Sequence, residues 1–399
     1  MSMNGLRSPA GPREFILLMS ILMSVVAISI DAMLPALGII GIDLGATHAN
    51  QAQYIISFIF AGMAIGQLIN GPLSDALGRK KILYSCLCLY ILGSMICVLA
   101  TDITTMLVGR FIQGLGVSGP YISIMSIIRD RYSGREMAKI MSLVMTIFIM
   151  VPVIAPAIGQ GILAVANWRY IFGFYLLYST IVGIWMYLRL EETLKPNDRV
   201  PFRIQTLSSG IKAVFTNKTT LCYTLALSCI FGALIGNLNS IQQVFHSKYQ
   251  VGDMFAVYFG LQALAFGFAS FMNAKLVEKL GMRNLCLFAT GFLVVIAFVF
   301  IICSMLIGAP FWLYFSFGAL LFFSVGILFG NLNSVALEPM GQIAGLASAI
   351  IGATSSLIGI TLGTIIGQQY SGSLTPIMLG FLILGSAAFI IIKIEQNSH

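Results

Sequence analysis

About twelve stretches of roughly 20 apolar residues run through this chain, and their length decides most of what it can become. A bilayer core is about 30 Å thick, and a helix rising 1.5 Å per residue needs ~20 apolar residues to cross it. Inside lipid, every backbone N–H and C=O must be satisfied, so a spanning segment is a helix or a barrel strand. Barrel strands are short and alternate in polarity; these runs do neither. Only 9% of the 399 residues are charged, against ~25% in soluble domains. The expected fold class is all-α and polytopic. The expected spans are roughly 15–38, 52–74, 81–100, 104–128, 140–164, 168–189, 219–245, 253–275, 284–306, 311–336, 343–368 and 375–393.

The net charge of +8 sits in the connections between these runs, which argues against a nucleic-acid partner. Of 22 Lys and Arg, nineteen lie at the termini or in loops after even-numbered spans. The opposite loops hold only Arg169 and Lys248. The positive-inside rule then puts both termini in the cytoplasm. No small-residue cleavage site follows the first apolar run, which is expected to stay as a span. Seven cysteines lie in apolar runs without a histidine at ligand spacing, so they read as packing residues and no metal is expected. His48, His246 and His399 fall in loops or the tail, which rules out a histidine relay through the membrane. No Gly-x-x-x-x-Gly-Lys is present, and neither an internal ATPase nor a cofactor is expected.

The chain repeats itself. Asp75-x-x-Gly78 is answered by Glu278-x-x-Gly281, and Ile158-Gly159-Gln160 by Ile366-Gly367-Gln368, at similar offsets of 203 and 208. Gly236-Asn-Leu-Asn-Ser240 recurs as Gly330-Asn-Leu-Asn-Ser334. A duplicated six-span unit with a nested repeat explains all three. The domains expected are an N-terminal six-helix bundle over 1–190, a cytoplasmic linker over 191–217 and a C-terminal six-helix bundle over 218–399. In the linker, Phe202, Leu207, Ile211, Val214 and Phe215 recur at helical spacing. They fit an amphipathic helix on the inner membrane face, or else an irregular linker.

Charges inside spans are costly and therefore informative. Arg110 stands in the fourth run with no acid beside it, and a central arginine costs about 2.5–3.5 kcal/mol on insertion scales. The acid well inside another run is Asp31, at comparable depth. The two read as a pair, either proton-coupling or merely structural. Gln113 shares a helix face with Arg110. With Asn237, Gln242 and Asn331 it forms the candidate substrate-binding set. Only one asparagine of each Asn-x-Asn can face a cavity, since the two lie about 200° apart. Glu338, before Pro339, reads as interfacial and as a candidate second proton site.

Four motifs carry a family resemblance. Gly71-Pro-Leu-Ser-Asp75-Ala-Leu-Gly78-Arg79-Lys80-Lys81 resembles the signature loop of the major facilitator superfamily, with Ala76 where an arginine is common. Arg79 to Lys81 would anchor at lipid head groups. Arg110-Phe-Ile-Gln113-Gly114-Leu-Gly116 resembles the family's second motif. Gly114-x-Gly116-x-x-Gly119 also matches a dinucleotide fingerprint, but no strand precedes it; the glycines fit close helix packing. Pro152-Val-Ile-Ala-Pro156-Ala-Ile-Gly159-Gln160-Gly161 resembles the antiporter motif of the fifth span, with Gln160 between the expected glycines. Its two prolines remove two helix donors and predict a kink. An acid before Leu34-Pro35, with Trp168-Arg-Tyr-Ile-Phe172 and the Gly345-Leu-Ala-Ser348 region, is similar to twelve-span drug:proton antiporters of the bicyclomycin/chloramphenicol-resistance (Bcr/CflA) branch.

The resemblance implies two pseudo-symmetric six-helix bundles and no enzyme activity. It implies a proton-coupled exporter of amphiphilic small molecules or antibiotics, working by alternating access in the bacterial inner membrane. Asp31 and Arg110 would couple protons. Gly71, Asp75, Gly78 and Arg79 would form a conformational latch, and Pro152, Pro156 and Gly159 would carry the antiporter motif. The expected partners are a small-molecule substrate, protons and lipid, with the chain a monomer. A polar secreted metabolite such as a siderophore, uptake by symport, and a membrane sensor with a transporter fold remain the alternatives.

Overall fold

The computed structural model describes residues 10–397; His399, and Arg7 among the terminal basic residues counted above, lie outside them. Among the described residues, twelve segments are long and apolar enough to cross a membrane. They correspond one for one with the twelve runs. The described residues form fourteen α-helices, thirteen of them in these segments and α8 in the linker: α1 Pro12–Asp31, α2 Leu37–Asp43, α3 Tyr54–Leu77, α4 Arg79–Leu99, α5 Ile103–Arg131, α6 Gly134–Val165, α7 Arg169–Arg189, α8 Ile204–Thr216, α9 Lys218–Gln243, α10 Phe255–Leu280, α11 Met282–Ile307, α12 Phe311–Leu337, α13 Ala344–Gln368 and α14 Thr375–Gln396.

Side-chain caps start two of these helices. Asp102 accepts from the Thr105 N–H at 2.9 Å and its hydroxyl at 2.7 Å. Those bonds favour the charged carboxyl and hold Asp102 below its usual range. Asn217 caps α9 by accepting from the Thr220 N–H at 3.0 Å. α6 runs as one helix through Pro152 and Pro156.

The first span, by contrast, is interrupted. α1 stops at Asp31, Ala32 and Met33 turn, Leu34–Ala36 form a single tighter turn, and α2 resumes at Leu37. Pro35 explains the position. A helical proline clashes with the carbonyl four residues back and offers it no donor. Four residues before Pro35 is Asp31.

The chain forms two compact units. One comprises residues up to Ala36 with Phe58–Leu207; the other comprises Leu37–Ser57 with the chain from Ser208 onward. In the first unit, α4 packs on α5 and α7, and α1 on α6. α3 and α5 touch backbone to backbone: a Cβ on Gly62 would lie 2.1 Å from the Phe111 carbonyl, and one on Gly114 2.1 Å from that of Ile59. Small residues permit this approach, and in lipid it stands in for the hydrophobic drive. Phe15, Leu22, Leu87, Ile127, Val144 and Met186 belong to the buried core that joins α1 and α4 to α7.

In the second unit, α9 packs on α13, α14 and α12, while α11 packs on α12 and α14. Segment 37–57 joins this unit through amide hydrogen bonds. Asn50 donates to the carbonyls of Gln368 (3.0 Å) and Tyr370 (2.9 Å). Gln368 returns a bond to the Asn50 carbonyl at 2.8 Å, and Gln243 donates to that of Ala49 at 2.9 Å. In each unit the glycine of the duplicated Ile-Gly-Gln makes a close contact, though with different groups. Gly159 of α6 meets Ala32 beyond α1, and Gly367 of α13 meets Asn239 of α9. The linker contains α8, whose Gly210 meets Leu346 and Ile350 of α13 while Ile204, Ile211 and Phe215 stay exposed.

Candidate functional site: a buried polar cluster beside a broken helix

In the first unit, Arg110 is fully buried. Its Nη1 donates to the Ser29 carbonyl at 3.0 Å and to Gln113 Oε1 at 2.8 Å. Its guanidinium carbon lies 5.9 Å from the centre of the Phe172 ring. Gln113 donates onward to Ser94 Oγ at 2.7 Å, and Ser94 to the Tyr90 carbonyl at 2.8 Å. Ser29 Oγ bonds the Tyr90 hydroxyl at 2.7 Å. Five residues from α1, α4 and α5 thus share one hydrogen-bonded cluster.

Asp31 is not part of it. The carboxyl is buried, yet among the described residues it makes no ion pair and no hydrogen bond. The expected Asp31–Arg110 contact is therefore absent from this conformation. Ser29 and Asp31 are two residues apart, so their side chains leave α1 about 200° apart. Ser29 holds the face that Arg110 and Tyr90 meet, and Asp31 leaves by the other. The break after Asp31 lies against α6: a Cβ on Gly159 would fall 1.7 Å from the Ala32 carbonyl oxygen. Pro156 and Gly159 are buried and Pro152 half-buried.

The candidate substrate residues separate into two kinds. Gln113 and Asn331 are committed internally. Asn331 donates to Asn273 Oδ1 at 2.6 Å and to the Ile327 carbonyl at 2.8 Å, which uses both its amide hydrogens. Asn237 and Gln242 of α9 are buried without a hydrogen bond among the described residues, and each keeps slight access, 5% and 6%.

The signature loop is an ion cluster. Gly78 turns the chain with φ of 109°, a backbone that side chains resist. Arg79 is 7% exposed, so it does not reach head groups as expected. Its guanidinium pairs with Asp75, with Asp130 at 3.1 Å and with Ser74 at 3.2 Å. Sequence reading missed Glu192, which accepts from the backbone N–H of Arg79 (2.9 Å) and Lys80 (3.1 Å). A carboxylate there satisfies orphan donors and the helix dipole of α4. The adjacent acids Glu191 and Glu192 were the only signal.

The second unit has a similar cluster after Gly281, whose φ is 74°. Arg283 bonds Glu395 at 2.9 Å and Glu338 at 3.3 Å, and Thr219 donates to Glu395 at 2.6 Å. Glu338 is largely exposed here, which weakens it as a proton site. Glu395 is fully buried and was not singled out, because its position near the chain end resembles an interface.

The sequence profile of the Major Facilitator Superfamily matches residues 19–364. The uncharacterized MFS-type transporter YdgK of Bacillus subtilis is 30% identical over 98% of this chain and 100% of its own. A bicyclomycin resistance protein homolog of Haemophilus influenzae is 28% identical over 91% of each chain. In fold, the chain is similar to the xylose transporter XylE of E. coli in a partially occluded inward-open conformation, with TM-score 0.70, 13% identity and 96% of each chain covered. Twelve membrane-capable helices, a signature loop built around Gly78 and Arg79, and a profile match over most of the length agree: the chain belongs to the Major Facilitator Superfamily and is a transporter of the Bcr/CflA-like type, not an enzyme.

Proposed function

We propose that this protein exports amphiphilic small molecules, antibiotics among them, from the bacterial cytoplasm in exchange for protons. It lies in the inner membrane with both termini inside, as a monomer, and works by alternating access of the bundles 1–190 and 218–399 joined by linker 191–217. Asp31 is the acid that takes and gives the proton. The observation that carries this reading is Asp31 itself: a buried carboxyl without an ion pair, at a helix break held by the antiporter-motif residue Gly159. A buried carboxyl in that position is costly to keep charged, so its protonation responds to a change of surroundings. The name of the Haemophilus relative supports drug export. Asp75 and Arg79 act as the latch at the inner face, and α8 lies on the inner leaflet.

A polar substrate is the second reading, favoured by the unbonded amides of Asn237 and Gln242. Accumulation of bicyclomycin and of a secreted metabolite pool, measured with and without a protonophore, tests both. Export lowers accumulation until the protonophore is added, uptake by symport raises it, and a sensor changes neither.

A further inference from the structure

In the first unit, α4 and α7 leave a groove of about 270 Å³ between them. Its walls are Leu87 and Cys88 of α4 and Gly183 and Ile184 of α7, with Tyr84 and Tyr187 where the two helices near the signature loop. From Tyr84 to Ile91 it follows seven residues of α4, about 10 Å of helix. The groove belongs to the outer, apolar surface of the unit. Leu92 continues the helical stripe of Cys88, and Leu177 that of Ile184, and both are exposed, by 48% and 62%. A trough in such a surface forfeits dispersion contacts unless something apolar lies in it. Beside a bilayer that filler is a hydrocarbon chain.

The charges at one end say what carries that chain. Lys80 is engaged by the protein: its ammonium donates to the carbonyls of Tyr187, at 3.4 Å, and Leu190, and lies 5.9 Å from the ring centres of both Tyr84 and Tyr187. The two rings meet edge to face at 6.0 Å. Lys81, by contrast, is exposed, and its ammonium has no partner among the described residues. Lys81, Tyr84 and Cys88 recur at i, i+3 and i+7, so the lysine stands at the head of the stripe that forms the groove wall. A cation above a pair of tyrosines above an apolar trough matches, from head to tail, a phosphate, an interface and an acyl chain. We propose that this groove is a binding site for one anionic phospholipid, with an acyl chain between α4 and α7 and the phosphate at Lys81. The chain gains little selectivity from the trough, since bulk lipid is equally apolar; Lys81 supplies the preference for negative charge.

The test uses the full chain, purified and stripped of lipid in detergent, with phosphatidylglycerol or phosphatidylcholine of the same acyl chains added. Native mass spectrometry counts the copies retained. The wild type retains a single phosphatidylglycerol in preference to phosphatidylcholine. Lys81→Gln lowers that preference about fivefold, since a lysine near the head groups contributes about 1 kcal/mol. Gly183→Leu fills the groove and loses the retained copy. The Cβ it adds meets Leu87 alone, at an ordinary 3.8 Å, so α4 and α7 stay packed. Gly173→Leu, on α7 outside the groove and with open space at its Cβ, keeps the copy. Added phosphatidylglycerol raises the thermal midpoint of the wild type and of Gly173→Leu, and leaves that of Gly183→Leu unmoved. Wild-type retention by Gly183→Leu overturns the groove as the site. Equal retention of the two lipids by the wild type overturns the assignment to an anionic phospholipid. Binding of lipid needs neither export nor a proton, so either result leaves the role of Asp31 to its own test.

Discussion

Gly159 lies so close to Ala32 that a single added carbon would sit 1.7 Å from the Ala32 carbonyl oxygen. Two glycine neighbours make this a controlled experiment. Gly161, two residues on, has open space where a Cβ would go. Gly159→Ala must therefore push α6 away from the break beside Asp31, and substrate-driven proton release falls at least tenfold. Gly161→Ala leaves it within twofold. Equal behaviour of the two variants in a proton-release assay would show that the contact has no role in coupling.

Pro35 sets where α1 stops. Pro35→Ala restores a donor for the Asp31 carbonyl and lets the helix continue through 32–36. The protein should remain folded, since a helix-breaking residue has been removed, but its export should fall several-fold. Wild-type export from a protein whose first span has become continuous, judged by hydrogen exchange over 32–36, would argue that the break is incidental.

At the inner face, Gly78→Leu strains a backbone at φ of 109° and also presses on Glu192, whose Oε2 lies 2.5 Å from the Cβ position. Strain of this kind costs about 1–3 kcal/mol. Glu192→Ala, which uncaps α4, should lower the thermal midpoint in detergent, and Asp75→Asn should slow transport more than it lowers that midpoint. Transport at wild-type rate by a well-inserted Gly78→Leu protein would remove the latch from the account.

Glu395 gives a stability prediction. Glu395→Ala strips Arg283 and Thr219 of a fully buried partner and should cost about 3 kcal/mol, seen as a lower thermal midpoint. Glu338→Gln, whose carboxylate is largely exposed, should cost under about 1 kcal/mol. A larger loss for Glu338→Gln would mean that the exposed member, not the buried one, holds the cluster.

Much of this was legible in the sequence. Span positions follow from length and polarity alone, because lipid leaves a chain no other choice. The Gly78 turn follows from residue type, and so does the close packing of Gly114. What was hidden depends on direction. The pairing of Asp31 with Arg110 was inferred from matching depth, but depth does not say which face of α1 a side chain leaves by. Ser29, two residues away, took the contact instead. Arg79 looked like a head-group anchor until Asp130 and Glu192, distant in sequence, were brought to it. Glu395 carried no spacing or motif; only folding buried it among its partners.

The central claim is that Asp31 exchanges the proton that drives export. Its most direct measurement is pH-gradient-driven transport of bicyclomycin by Asp31→Asn protein in inside-out vesicles, alongside bicyclomycin binding at fixed pH. The account predicts normal insertion, since a charge has been removed from the membrane, retained binding, and loss of the gradient-driven component. Gradient-driven transport at the wild-type rate would contradict it.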